Sequence, residues 1–178
     1  MAVIILALDA PGSMRWKAAN PGKHLGGYAV YDMTKDQLLS YGIVEFGLKS
    51  ERHDLLGLWK ILDDNYKRYH PQMIVVEHPF LHVIAQFVGA VKMWVAKKRK
   101  LNWYMINPSQ AQKLVFGKAL HKQRETSTGR MVSDSKWKKE QVLMHVRKKF
   151  KLASSLTQHE ADAIFYALAV AERIRREP

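Results

Sequence analysis

The chain has 178 residues and no cysteine, and its 29 Lys and Arg against 16 Asp and Glu give a formal net charge of +13. The missing cysteines exclude disulfides, thiolate catalysis and zinc-finger sites; the lack of any run of about 18 uncharged apolar residues excludes a membrane-crossing helix, and no signal peptide is expected. The length fits one domain, expected over residues 1–178, and the positive excess favours a polyanionic partner, nucleic acid first and an acidic membrane surface second.

Val3 to Leu8 is an unbroken apolar run that closes on Asp9, with Pro11-Gly12 after it. That pattern predicts a strand buried on both faces, ending in a carboxylate that needs a partner. Residues 10–27 are polar and glycine-rich, carry Arg15, Trp16 and Lys17, and read as a long loop. Strands are expected over 28–31 and 38–46, joined by a tight turn into an antiparallel meander. Ser50 is a candidate N-cap for an amphipathic helix bearing Leu55, Leu58, Trp59, Leu62, Tyr66 and Tyr69, ended by His70-Pro71.

Met73 to Glu77 repeats the opening theme of an apolar strand that finishes on a carboxylate before a breaker. A helix follows over about 81–98. Its wide apolar stripe, broadened by Val83, Ala90 and Met93, suits burial on two sides, within the domain or between subunits. A strand over 101–106 leads to a brief helix capped by Asn107 with Pro108 in its first turn. Residues 117–136 are polar and basic and read as a mobile loop. Helices are expected over 137–150 and from Thr157 onward, where Thr157 and Glu160 match a capping box. The order of elements predicts an α/β mixed sheet with helices packed on it.

Two strand-end carboxylates, Asp9 and Glu77, and the pair His159 and Asp162, three apart on one face of a buried helix, can converge if the strands are neighbours. Converging carboxylates repel unless a cation joins them, and an oxygen-rich set with one imidazole suits Mg2+ or Mn2+. Two such ions about 3.5–4 Å apart clamp both oxygens of a phosphodiester displacement. Each residue also has a plain alternative. Asp9 could form a turn, Glu77 could cap a helix, His159 could lie on the surface, and Asp162 could complement the helix dipole.

The ordered set Ile5-Leu6-Ala7-Leu8-Asp9, Gly27-Tyr28-Ala29-Val30, Val75-Val76-Glu77 with Phe80, Gly129-Arg130, Lys139-Glu140-Gln141-Val142 and His159-Glu160-Ala161-Asp162 resembles the RuvC-type Holliday-junction resolvases. The resemblance implies a ribonuclease H-like fold, with a mixed five-stranded sheet and helices on both faces. It implies a homodimer in the cytoplasm of a bacterial or phage-infected cell. Such an enzyme resolves four-way DNA junctions by paired symmetric nicks, using two Mg2+ or Mn2+ ions per site held by Asp9, Glu77, His159 and Asp162. Phe80 would stack near the junction centre, and Lys139, Lys138, Arg130 and Lys113 would contact DNA. A second family lysine aligns on Gln112, beside Lys113. The extra Ala10 and the expanded segments at 10–27 and 117–136 depart from bacterial members and resemble divergent phage versions. Two other functions compete: a nuclease of this fold acting on branched or flap DNA more broadly, and a non-catalytic DNA-binding protein of the same fold.

Overall fold

The computed structural model describes residues 2–10, 23–49, 52–54, 56–78, 82–98 and 100–177. Its sheet is built from β1 (Ile4–Asp9), β2 (Lys23–Asp32), β3 (Gln37–Lys49), β4 (Arg52–Asp54), β5 (Met73–Glu77) and β6 (Asn102–Ile106). The strand order is β4-β3-β2-β1-β5-β6. β1 pairs antiparallel with β2 and parallel with β5, so the apolar opening run is central as its composition requires. β2 and β3 form the expected antiparallel pair, and β5 and β6 pair in parallel. The sheet exceeds the expected five strands because three residues at 52–54 add an edge strand on β3.

The helices are α1 (Leu56–Tyr69), α2 (His82–Ala96), α3 (Pro108–Phe116), α4 (Ser135–Phe150) and α5 (Gln158–Arg176). They cover both faces, and the pleat of the strands decides which side chains meet which helices. Ile5, Ala7, Ala29, Tyr31 and Val75 point to a core shared with α3, α4 and α5. Leu6, Leu8, Val30, Ile74 and Val76 point to the other core, with Leu58 and Leu62 of α1 and Phe87, Val91 and Trp94 of α2. Alternation therefore carries Asp9 and Glu77, two residues beyond Ala7 and Val75, to the α5 face. Ten successive positions of α5 other than Asp162 are buried between Ala161 and Ala171. Its alanines let it approach the sheet closely, while burial of Ile164, Phe165 and Leu168 contributes about 1.5–3 kcal/mol each.

Three local expectations are corrected. β2 begins at Lys23, so its pairing with β3 already takes in residues 23–27 that were read as loop. α1 starts at Leu56, six residues past Ser50, because the intervening chain turns back to pair with β3. Ser50 itself lies outside the described residues, as do Arg15, Trp16, Lys17 and Phe80. Residues 117–136, read as loop, contain a hairpin formed by β7 (Gln123–Glu125) and β8 (Met131–Ser133). On α2, Ala90 is buried and Met93 is open to solvent. Among the described residues no helix is long and apolar enough to cross a membrane.

Candidate active site

Parallel pairing of Leu8 with Val76 puts the ends of β1 and β5 side by side, so Asp9 and Glu77 emerge together. α5 begins over these ends. Its start is fixed by the expected capping box: the Thr157 hydroxyl accepts from the Glu160 amide, and the Glu160 carboxylate accepts from the Thr157 amide at 2.8 Å. This occupies Glu160 and leaves His159 and Asp162 on the sheet-facing side. Close approach at this point requires Gly27, which pairs with Asp9 across the β1–β2 ladder. A Cβ there would lie 2.0 Å from the His159 carbonyl oxygen.

His159 Nδ1 is 2.7 Å from Asp9 Oδ2, and Asp9 is 4 % exposed. Burial, the dominant influence, holds the His159 pKa below its ordinary value against the pull of Asp162. The contact is therefore a hydrogen bond of a neutral imidazole rather than an ion pair. When Asp9 is ionised, Nδ1–H donates and the Nε2 lone pair stays available.

Burial also pushes the Asp9 carboxyl well above the usual range, and the charge of Asp162 adds to the effect. Glu77 is pushed up to about 8 by burial and by the neighbouring Asp9, with which it shares a hydrogen bond. A bond between two carboxyls needs a proton, so this pair retains one near neutral pH. Asp162 is likewise raised by burial, opposed by its hydrogen bond from Gln158 Nε2 at 2.7 Å and by the charge of Lys139. The positive charge of Lys139, from the second turn of α4, lowers the pKa of all three carboxyls.

The four acid and imidazole positions expected from sequence are thus brought together, with Lys139 as their cation. Lys138, Lys113 and Arg130 are not joined to the cluster by any described contact. Gln112 is buried and accepts from the Leu120 amide at 3.1 Å, while Lys113 beside it is exposed. Sequence reading gave Tyr166 no part in the site. It lies one turn beyond Asp162, is 4 % exposed, and its hydroxyl hydrogen-bonds Glu77. Burial and the three nearby carboxylates raise its pKa, so the phenol stays protonated as a donor. The available signal was spacing: His159, Asp162 and Tyr166 form one polar stripe, at i, i+3 and i+7, on an apolar helix.

Among the described residues no three Asp, Glu or His side chains stand in metal-holding geometry, because here they hydrogen-bond one another. The donor set nevertheless fits a hard divalent cation in kind. Three carboxyls and a neutral imidazole are packed closely enough to hold a proton that a cation would displace.

The family model described as crossover junction endodeoxyribonuclease RuvC matches residues 18–172. Among solved structures, Thermus thermophilus RuvC in complex with Holliday junction substrate aligns with a TM-score of 0.64 at 16% identity, over 97% of this chain and 95% of that one. The fowlpox virus Holliday junction resolvase aligns with a TM-score of 0.53 at 13% identity, over 96% and 99%. At such identities the likeness is one of fold, and it bears out the α/β ribonuclease H-like class expected from sequence. No curated protein matches the chain in sequence.

Proposed function

Because the chain belongs to the crossover junction endodeoxyribonuclease RuvC family, we propose that it is a divalent-metal-dependent nuclease that resolves four-way DNA junctions by paired nicks. The observation that carries this reading is the meeting of Asp9, Glu77, Asp162 and His159 beside Lys139 in a chain of net charge +13. Asp9, Glu77, Asp162 and His159 would hold Mg2+ or Mn2+. The metal would supply a nucleophile at neutral pH and neutralise the charge developing on phosphate.

The protein groups have separable tasks. β1 and β5 hold two carboxylates on rigid strand ends, which limits their reorganisation during reaction. Gln158 orients Asp162, and Asp9 orients the His159 ring. Lys139 places a positive charge beside the carboxylates, where it would draw the scissile phosphate in and offset charge on its oxygens. Lys138, Lys113 and Arg130 would add backbone contacts, and Phe80 would stack on a base near the junction centre. One such site lies in each chain, so symmetric cutting of two strands calls for a homodimer, with the whole of residues 1–178 acting as one nuclease domain.

The test compares a mobile four-way junction with linear duplex and flap DNA, each with Mg2+ and with EDTA. Junction-selective nicking that requires Mg2+ is expected, and light scattering should give twice the chain mass. Equal cutting of all three substrates would point instead to a nuclease of broader branched-DNA specificity. Cutting in EDTA would sink the metal assignment.

A further inference from the structure

The β7–β8 hairpin contributes no residue to the core described above. Its strands pair with each other, Gln123 with Ser133, Arg124 with Val132 and Glu125 with Met131, and neither packs substantially on another element. Every side chain from His121 to Ser133 is exposed except Thr126 and Val132, which are half-buried. An isolated two-stranded hairpin is marginal in water, yet this one is held at its tip and at its base.

At the tip, the Thr126 amide donates to the Arg130 carbonyl at 2.9 Å, and the Thr126 hydroxyl accepts from the Arg130 amide at 3.1 Å. Gly129 supplies the left-handed φ of 77° that closes the turn. At the base, the Asp134 amide donates to the Lys122 carbonyl at 2.8 Å, and the Asp134 carboxylate caps α4. The Lys122 ammonium lies over the Trp137 ring at 5.6 Å. On the other side, Gln112 of α3 holds the Leu120 amide. The hairpin is therefore set in a fixed direction from the N-terminal end of α4. Lys139 follows Asp134 by five residues, about 7 Å along the helix.

Residues 118–138 carry six basic side chains, Lys118, Lys122, Arg124, Arg130, Lys136 and Lys138, against two acidic ones. One of the two, Asp134, is engaged in capping. Among the described residues none of the six cations is ion-paired. Apolar exposure is small, with Met131 its main contributor, so the hairpin does not suit insertion into a membrane.

Resting on the nuclease reading above, we infer that the hairpin is a basic arm that grips the phosphate backbone of a duplex arm next to the cleavage site. Its occupant is sequence-independent DNA backbone, recognised by charge and by the amide and hydroxyl donors of the tip. The arm extends the positive path that begins at Lys139, and it fixes which strand of the junction lies over the carboxylates.

The test uses junction binding in an Asp9→Asn background with Lys122→Gln, Arg124→Gln and Arg130→Gln introduced together. The dissociation constant should rise at least tenfold near physiological salt. The slope of log K against log salt should become shallower by about 2.7, the share of three phosphate contacts at about 0.9 each. A matched triple change on α1 and α2, Lys67→Gln, Arg68→Gln and Lys92→Gln, should leave both quantities near the parent values. The six positions are surface sites, and thermal melts should stay within a few degrees. A hairpin variant with parent affinity and slope, while the wild-type chain still binds and nicks junctions, overturns the arm alone. Equal loss in the α1–α2 control also overturns it. A wild-type chain that neither binds nor nicks a junction overturns the arm and the nuclease reading together.

Discussion

Gly27 of β2 and His159 of α5 meet backbone to backbone beside Asp9, and a Cβ on Gly27 would come within 2.0 Å of the His159 carbonyl oxygen. No rotamer change relieves such a clash, because both partners are main chain. Gly27→Ala must therefore lift the start of α5 away from the sheet, and His159 with it. The expected result is a folded protein destabilised by about 1–3 kcal/mol, with junction nicking reduced by at least tenfold. Urea denaturation and a nicking time course check the two parts. Wild-type activity in this variant would mean that the position of α5 over Asp9 is not what places the site.

Asp9→Asn keeps the shape and a hydrogen bond with His159 while removing a buried carboxyl that could ionise to hold a metal. Cleavage should be abolished. Junction binding should be intact or tighter, since this position can no longer ionise beside phosphate. Gel-shift and nicking assays on one preparation separate the outcomes, and full nicking by the variant would refute the metal-site reading. Because burial and the charge of Asp162 raise the Asp9 pKa well above its ordinary value, the variant should also lose part of the chain's sensitivity to rising pH.

That sensitivity has a definite sign. Glu77 titrates near 8 in the folded chain against an ordinary 4.5. Its contribution to stability is fully present below pH 4.5, declines as the unfolded chain ionises, and is gone once pH has risen through 8. Asp9 and Asp162 act in the same direction. His159, held below 6.5, acts oppositely, contributing above that pH and losing its share as pH falls. The fall is therefore cleanest between pH 6.5 and 9, where metal-free protein should lose on the order of a few kcal/mol. Mg2+ should restore most of it at pH 9 and little at pH 6.5, with protons released on binding. Flat metal-free stability across this range would show that the carboxyls are not crowded in solution.

Much of this arrangement was legible in the chain because alternation and helical spacing are direct consequences of backbone geometry. The run Val3 to Leu8 marked a central strand, and counting by two from Ile5 and Ala7 puts Asp9 on the face that α5 covers. Thr157 with Glu160 announced the start of α5, and that capping freed His159 and Asp162 to turn inward. The rest depended on long-range partners that periodicity does not encode. Lys23 to Gly27 form strand only because β3 extends far enough to pair with them. Arg52 to Asp54 became an edge strand by the same means, although the nearby serine looked like a helix cap. Residues 117–136 lack apolar alternation because their hairpin is solvated on both sides, which made an ordered segment read as loop. Tyr166 shares a helical face with His159 and Asp162, but its role depends on Glu77, 89 positions earlier in the chain.

Tyr166 supplies the sharpest test of how the carboxylates are held. Its hydroxyl is buried and directed at Glu77, and the phenol is too basic to ionise near neutral pH. It therefore acts as a fixed donor to that carboxyl. Tyr166→Phe preserves the ring and its packing in the α5 core, so the fold should survive with a loss of about 1–2 kcal/mol at most. Without the donor, Glu77 gains freedom to turn and becomes harder to ionise. The maximal nicking rate should fall about tenfold, corresponding to about 1.4 kcal/mol, while the Mg2+ midpoint rises and junction affinity stays unchanged. A purely structural tyrosine would move stability alone. An unchanged rate and an unchanged Mg2+ midpoint in a well-folded variant would show that Glu77 is positioned by its strand and by Asp9 without the phenol.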